Sequence, residues 1–240
     1  MTTLDSSLCG ALKAIGPLMQ AADDRRSLSP THPKRAVERD LKSALRTVVG
    51  PLAAAAGLRL DDVERTIAPI EWPRVGPVDL IFLDHHLNAS NGEGRAAFVE
   101  LKWAYTDVLW YVAWDLAKSA LVARLGLAER ALCVVGTLDS ERTTRYGALL
   151  AETQRDTAQF LRDFHDALKP FCFPEPGREH PTGPYSLPAV METAVLCEHP
   201  LLVRSLPWTL VVLEVSAPGS EWVAVDERGR PRPSPDGPNV

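Results

Sequence analysis

A chain of 240 residues, 45% hydrophobic and 24% charged, has ordinary soluble composition and enough length for one sizeable core with an elaboration on it. Its formal net charge of −5 argues against a protein that coats nucleic acid indiscriminately, and no run reaches the ~18 consecutive apolar residues of a membrane helix. Four cysteines (Cys9, Cys133, Cys172, Cys197) without paired spacing imply neither a zinc site nor a disulfide framework, and without a leader-like N-terminus the expected compartment is the cytoplasm.

Leu8, Leu12, Ile15 and Met19 recur at helical spacing, which predicts an amphipathic helix over the first twenty residues, followed by a polar linker from Asp23 to Pro33. A second helix begins near Pro33 or Lys34. Its stripe is Val37, Leu41, Ala44, Leu45 and Val48, and Gly50-Pro51 should break or kink it. Between Arg25 and Arg46 seven basic residues stand against two acidic ones, either a solvated helix face or a surface that follows phosphates. Glu38 borders the apolar stripe, where a carboxylate by itself is an edge residue reaching for water or a cation. Arg65 to Trp72 reads as a short strand, marked by Pro69 as an edge or bulged one.

The next stretch carries the chemistry. Pro77 to Leu83 and Ala96 to Trp103 both read as strands, and Asn88 to Gly94 supplies turn residues between them. A hairpin symmetric about Ala89 and Ser90 places Asp79 opposite Glu100 and Pro77 opposite Lys102. Opposed residues share a face with Cβ atoms about 5 Å apart, so two facing carboxylates repel unless a cation lies between them. Oxygen ligands favour Mg²⁺, Ca²⁺ or Mn²⁺ over zinc. Glu100 and Lys102, two apart on a strand, point the same way, and an ammonium beside a metal-bound water suits phosphodiester hydrolysis. Asp40-Leu41-Lys42 has the same acid-x-Lys form, but on a helix its two charges diverge.

Leu109, Val112, Ala113, Leu116, Ala117 and Ala120 predict another helix, capped at Gly126, with Asp115 and Lys118 on its more polar side. The aromatic residues Trp103, Tyr105, Trp110, Tyr111 and Trp114 are packing residues or, with Trp110 or Trp114 exposed, a base-stacking surface. Ala131 to Gly136 is a strand covered on both faces. A long polar helix is expected from Glu141 to Leu168, with Leu150, Ala158, Leu161, Phe164 and Leu168 inward. A Pro-rich loop follows from Lys169 to Leu187, then a hairpin of Thr209–Val215 with Trp222–Val225, then a disordered tail from Asp226. Asp84-His85-His86 reads as a loop mouth rather than a metal site, because adjacent residues diverge. Nucleophile elbows, phosphate loops and dinucleotide fingerprints are missing.

An acid at Asp79 on one strand and Glu100-Leu101-Lys102 on the next, in the order α-β-β-β-α-β, resembles the PD-(D/E)XK nuclease superfamily. Val78 stands where that family often has proline, Pro77 being one position early. The resemblance implies a restriction-endonuclease-like α/β fold, a mixed central sheet flanked by helices. One domain over residues 1–226 would then hold a core at about 34–138 and a C-terminal helical and hairpin elaboration at 139–226, with 227–240 as tail. It implies a Mg²⁺- or Mn²⁺-dependent nuclease in which Asp79 and Glu100 hold the metal and Lys102 orients the attacking water. Glu38 would assist, ahead of Glu64, and Lys118 is an auxiliary candidate. The implied partner is nucleic acid, DNA ahead of RNA, with no membrane and with a homodimer for duplex cleavage. The alternative is a non-catalytic binding or interaction protein on the same scaffold, its charges engaged in an ion pair of Lys102 with Glu100 or Asp79.

Overall fold

The computed structural model describes residues 3–27, 38–61, 80–84, 95–104, 109–142, 146–165, 185–203 and 205–225. Helix α1 (Thr3–Ser27) buries Leu8, Leu12, Ile15 and Met19, as their spacing predicts. It runs through the expected linker start, with Asp23 buried inside it. Helix α2 (Glu38–Ala55) buries Leu41, Ala44 and Leu45, and it continues through Gly50-Pro51 instead of breaking. Proline removes one backbone donor. Val49 and Ala53 carry the buried stripe across that point, and their packing offsets the lost bond.

Strands β1 (Leu58–Asp61), β2 (Leu80–Asp84), β3 (Arg95–Ala104), β4 (Arg130–Leu138), β5 (Thr153–Asp156), β7 (Val190–Val203) and β8 (Leu206–Ser216) form one seven-strand sheet in the order β1-β2-β3-β4-β8-β7-β5. Only β3 and β4 run parallel, joined through helix α3 (Leu109–Arg124); the other neighbours are antiparallel. Gly126, at φ 61°, follows α3 in the left-handed conformation expected of a C-terminal cap. Strands β6 (Tyr185–Pro188) and β9 (Trp222–Val225) form a separate two-strand sheet. The protein is therefore α/β, with a mixed sheet packed against helices. The described elements from α2 to β4 follow the order α-β-β-β-α-β.

Alternation along the strands sorts the core into two layers. Val99, Leu101, Trp103, Leu132, Val134, Leu210 and Val212 face α1 and α2, whereas Cys133, Val135, Val211 and Leu213 face α3. Residues Ala131 to Thr137 of β4 are buried without a break, as a strand covered on both faces requires. In the first layer Trp103 stacks on Trp208 with ring centroids 4.1 Å apart. Gly136 makes that stack possible, since a Cβ there would lie 2.4 Å from the Trp103 ring.

The C-terminal third differs from expectation. In place of one helix from Glu141 to Leu168 there are two short turns, α4 (Asp139–Glu141) and α5 (Gly147–Leu150), then β5, then α6 (Thr157–His165). Asp156 breaks the run by capping α6, its Oδ1 accepting the Gln159 N–H at 2.6 Å. Of the expected inward set, Leu150, Ala158 and Leu161 are buried, Phe164 is partly buried, and Leu168 lies outside the described residues. The expected hairpin of Thr209–Val215 with Trp222–Val225 does not form. The first segment, within β8, lies between β4 and β7, and β9 pairs with β6. Strand β7 is the element the sequence hides, because Glu198, His199 and Pro200 interrupt its apolar pattern. The strand expected at Arg65–Trp72, the turn at Asn88–Gly94, His85 and His86, and the tail from Asp226 lie outside the described residues.

The cysteine expectation is overturned in part. Cys9 of α1 and Cys197 of β7 form a disulfide with Cα atoms 6.2 Å apart, a pairing that 188 residues of separation conceal from sequence reading. Such bonds persist in oxidising surroundings, so this one sits oddly with the reducing compartment expected from the sequence. Cys133 is a buried free thiol, as its apolar string suggests. No helix among the described residues is long and apolar enough to cross a membrane.

Candidate functional site

Before the register shifts at Leu83, which pairs with Arg95, β2 meets β3 through Leu80 with Val99, Ile81 with Phe98 and Phe82 with Ala97. They have the offset expected from a hairpin symmetric about Ala89 and Ser90, and a bulge after Phe82 absorbs the irregularity nearer the turn. Because Val99, Leu101 and Trp103 face α1 and α2, Glu100 and Lys102 project toward α3. Two residues of α3 meet them. Asp115 and Lys118 lie one turn apart on the face of that helix turned to the sheet.

The four side chains form a closed cluster. Lys118 Nζ is 2.7 Å from Glu100 Oε1 and 3.5 Å from Asp115 Oδ1, while Lys102 Nζ is 3.1 Å from Asp115 Oδ2. Asp115 thus offers a different oxygen to each lysine. Glu100, Asp115 and Lys118 are buried, and Lys102 is the most open of the four, with 17% of its side chain exposed. Helix α3 packs on β3, β4 and β8 and also against α6 and β6, and most of its residues are buried. Burial disfavours the Lys118 ammonium, but the Glu100 and Asp115 carboxylates outweigh it and hold its pKa above the ordinary lysine value.

Cys133 lies beside Glu100 in the parallel β3–β4 register and belongs to the core under α3. Complete burial, reinforced by Asp115 and Glu100, pushes its thiol well above the usual range. A thiol so protonated is a poor nucleophile, which removes cysteine chemistry from the cluster. Further along the same face, Thr209 donates to Asp139 Oδ1 at 2.6 Å, so polar groups continue past the end of β4. A groove of about 540 Å³ elsewhere, between α2 and β1, carries Arg46 and Arg59 and shares no residue with the cluster.

Of the residues expected at the site, the structure brings Glu100 and Lys102 onto one face and adds Lys118 to them. Asp79 lies outside the described residues, immediately before β2, as does Glu64. Glu38 is the first residue of α2, whose apolar stripe packs on the opposite face of the sheet from Glu100 and Lys102. Asp115 is the residue that sequence reasoning underrates. Its signal is an acid three residues before a lysine in an otherwise apolar helix, which reads as a surface pair until most of the helix proves to be buried.

Among the described residues no three of His, Cys, Asp and Glu converge as a ready metal site. Two carboxylates belong to the cluster, and each is already paired with an ammonium. Comparison with family models, with curated proteins and with solved structures finds no match to this chain.

Proposed function

We propose that this chain is a divalent-metal-dependent nuclease of the PD-(D/E)XK type, built on a restriction-endonuclease-like core from α2 to β4. The observation that carries the reading is the β2–β3 register together with the direction of Glu100 and Lys102. Ile81 pairs with Phe98 on the α3 face, and the reading takes Asp79, outside the described residues, to continue that pairing opposite Glu100. Two carboxylates and a lysine would then share one site beneath the N-terminal half of α3.

In this reading Glu100 and Asp79 supply the oxygen ligands for Mg²⁺ or Mn²⁺. When bound, the ion contributes charge neutralisation at the scissile phosphate and a water of lowered pKa. Lys102, more open than Lys118, presents its ammonium toward the phosphate and orients the attacking water. Asp115 holds the Lys102 side chain in place through Oδ2. Nucleic acid is the substrate, DNA ahead of RNA, and two copies of the chain would serve two strands of a duplex.

The test is incubation of purified protein with single- and double-stranded DNA and with RNA, in Mn²⁺ or Mg²⁺ and in chelator. Cleavage that needs the metal and is lost in Asp79→Ala and Lys102→Ala supports the reading; intact substrates under all conditions contradict it. The second reading, a non-catalytic protein with a structural charge network, is favoured by one observation. Glu100, Lys102, Asp115 and Lys118 balance as two carboxylates and two ammoniums, with short contacts and little exposure.

A further inference from the structure

Strand β7 changes phase at Leu196. Its register against β8 passes from Val195 opposite Leu213 to Cys197 opposite Val212, so Leu196 is the extra residue of a bulge. Before the bulge, Met191 and Val195 pack into the core layer of α3; after it, Cys197, Leu201 and Val203 pack into the layer of α1 and α2. Without the extra residue, alternation would turn Cys197 to the α3 side, away from Cys9. The bulge thus aims one cysteine at the other, and the Cys9–Cys197 bond ties α1 to β7, against which that helix also packs. Both cysteines are half-buried and stand next to exposed residues, Gly10 and Glu198, which leaves the bond within reach of a dissolved thiol.

Helix α1 carries its own weak point. Pro17 has no N–H to donate to the Lys13 carbonyl, and Gly16 before it is a poor helix former. The hydrogen-bond ladder is therefore interrupted between the half that holds Cys9 and the half that buries Met19, Ala22 and Asp23. We propose that Cys9–Cys197 is a redox latch on the first half of α1, residues 3–16, which opens about Gly16-Pro17 once a dithiol has reduced the bond. The latch is independent of the nuclease reading. One thiolate of the dithiol attacks a sulfur of the bond, the other cysteine leaves and takes up a proton, and the second thiolate of the dithiol displaces the first cysteine. Two electrons and two protons pass to Cys9 and Cys197, and the dithiol ends as a disulfide. Leu8, Leu12 and Ile15 still hold the released half to the body. Reduction accordingly raises how often that half opens, and the second half of α1 stays seated.

Native-state hydrogen exchange of the full chain, read by mass spectrometry without reductant and in excess reduced dithiothreitol, tests the latch. A thiol titration runs beside it, and two further thiols should appear on reduction. Amides of residues 8–15 should then exchange at least about tenfold faster, within the range that a native cross-link supplies. Those of residues 18–22 should change by less than about threefold. Reoxidation should restore the slow rates, and Cys9→Ser without reductant should match reduced wild type. Wild type with and without dithiothreitol decides the question even where that variant fails to fold. An unchanged thiol count, a change below about threefold over residues 8–15, or equal acceleration in both halves of α1 would overturn the latch.

Discussion

Glu100→Gln is the sharpest probe of the cluster's strength. The substitution keeps shape and one acceptor oxygen but removes a charge, so Lys118, 2.7 Å away and buried, is left to share Asp115 with Lys102. Breaking a buried pair by removing one partner costs about 3–5 kcal/mol, because the surviving charge stays in a poorly solvated place. Two features move the expectation to the low end: the amide oxygen still accepts from Nζ, and Asp115 Oδ1 is within reach at 3.5 Å. A loss of about 3 kcal/mol is expected. With a urea dependence near 2.5 kcal/mol/M, the unfolding midpoint should fall by about 1.2 M. The assay is urea unfolding followed by circular dichroism in chelator. The double substitution Glu100→Gln with Lys118→Met removes both charges and should recover at least about half of the loss. A midpoint for Glu100→Gln within about 0.2 M of wild type would refute the reasoning, since it would mean that water already solvates the pair.

Gly136→Ala would place a methyl group 2.4 Å and 2.6 Å from two Trp103 ring carbons and 3.1 Å from Leu210. With Trp103 held against Trp208, a loss of about 3 kcal/mol is expected, at the upper end for overpacking; an unchanged melt and near-ultraviolet spectrum would contradict it. Cys197→Ser opens a cross-link spanning 188 residues, for which chain entropy sets a ceiling of about 5 kcal/mol. The fold should survive, since α1 keeps its buried apolar stripe, but the urea midpoint should drop. Identical midpoints for wild type with and without reductant would show that the bond does not form.

Much of this fold was legible where a single periodicity governs a segment. Leu8, Leu12, Ile15 and Met19 foretell α1, the apolar run at Ala131–Gly136 foretells β4, and a hairpin assumed symmetric about Ala89 and Ser90 anticipates the offset of Leu80–Phe82 against Ala97–Val99. Elements were missed where two influences compete. The stripe of α2 outweighs Gly50-Pro51, Asp156 ends one element and caps the next, and β7 mixes polar residues into a strand that only its partners define. At the candidate site Glu100 and Lys102 could be assigned to one face from strand alternation alone. That Lys118 and Asp115 complete the cluster depends on how α3 docks on β3, a long-range packing fact that no local spacing encodes.

Under the proposed function Asp79 and Glu100 would hold a divalent cation. Thermal unfolding of wild type and Asp79→Asn, each in chelator and in Mn²⁺, tests it most directly. Metal present at a hundred times its dissociation constant stabilises by about 2.7 kcal/mol, and each kcal/mol moves the melt of a chain this size by roughly 2–4 °C. Wild type should therefore gain about 5–10 °C with Mn²⁺. Asp79→Asn should gain nothing, and in chelator it should melt at or slightly above wild type if, as proposed, the two carboxylates repel in the metal-free protein. Marked destabilisation of Asp79→Asn in chelator, with no metal-dependent shift in wild type, would contradict the account and make the cluster a structural ion-pair network.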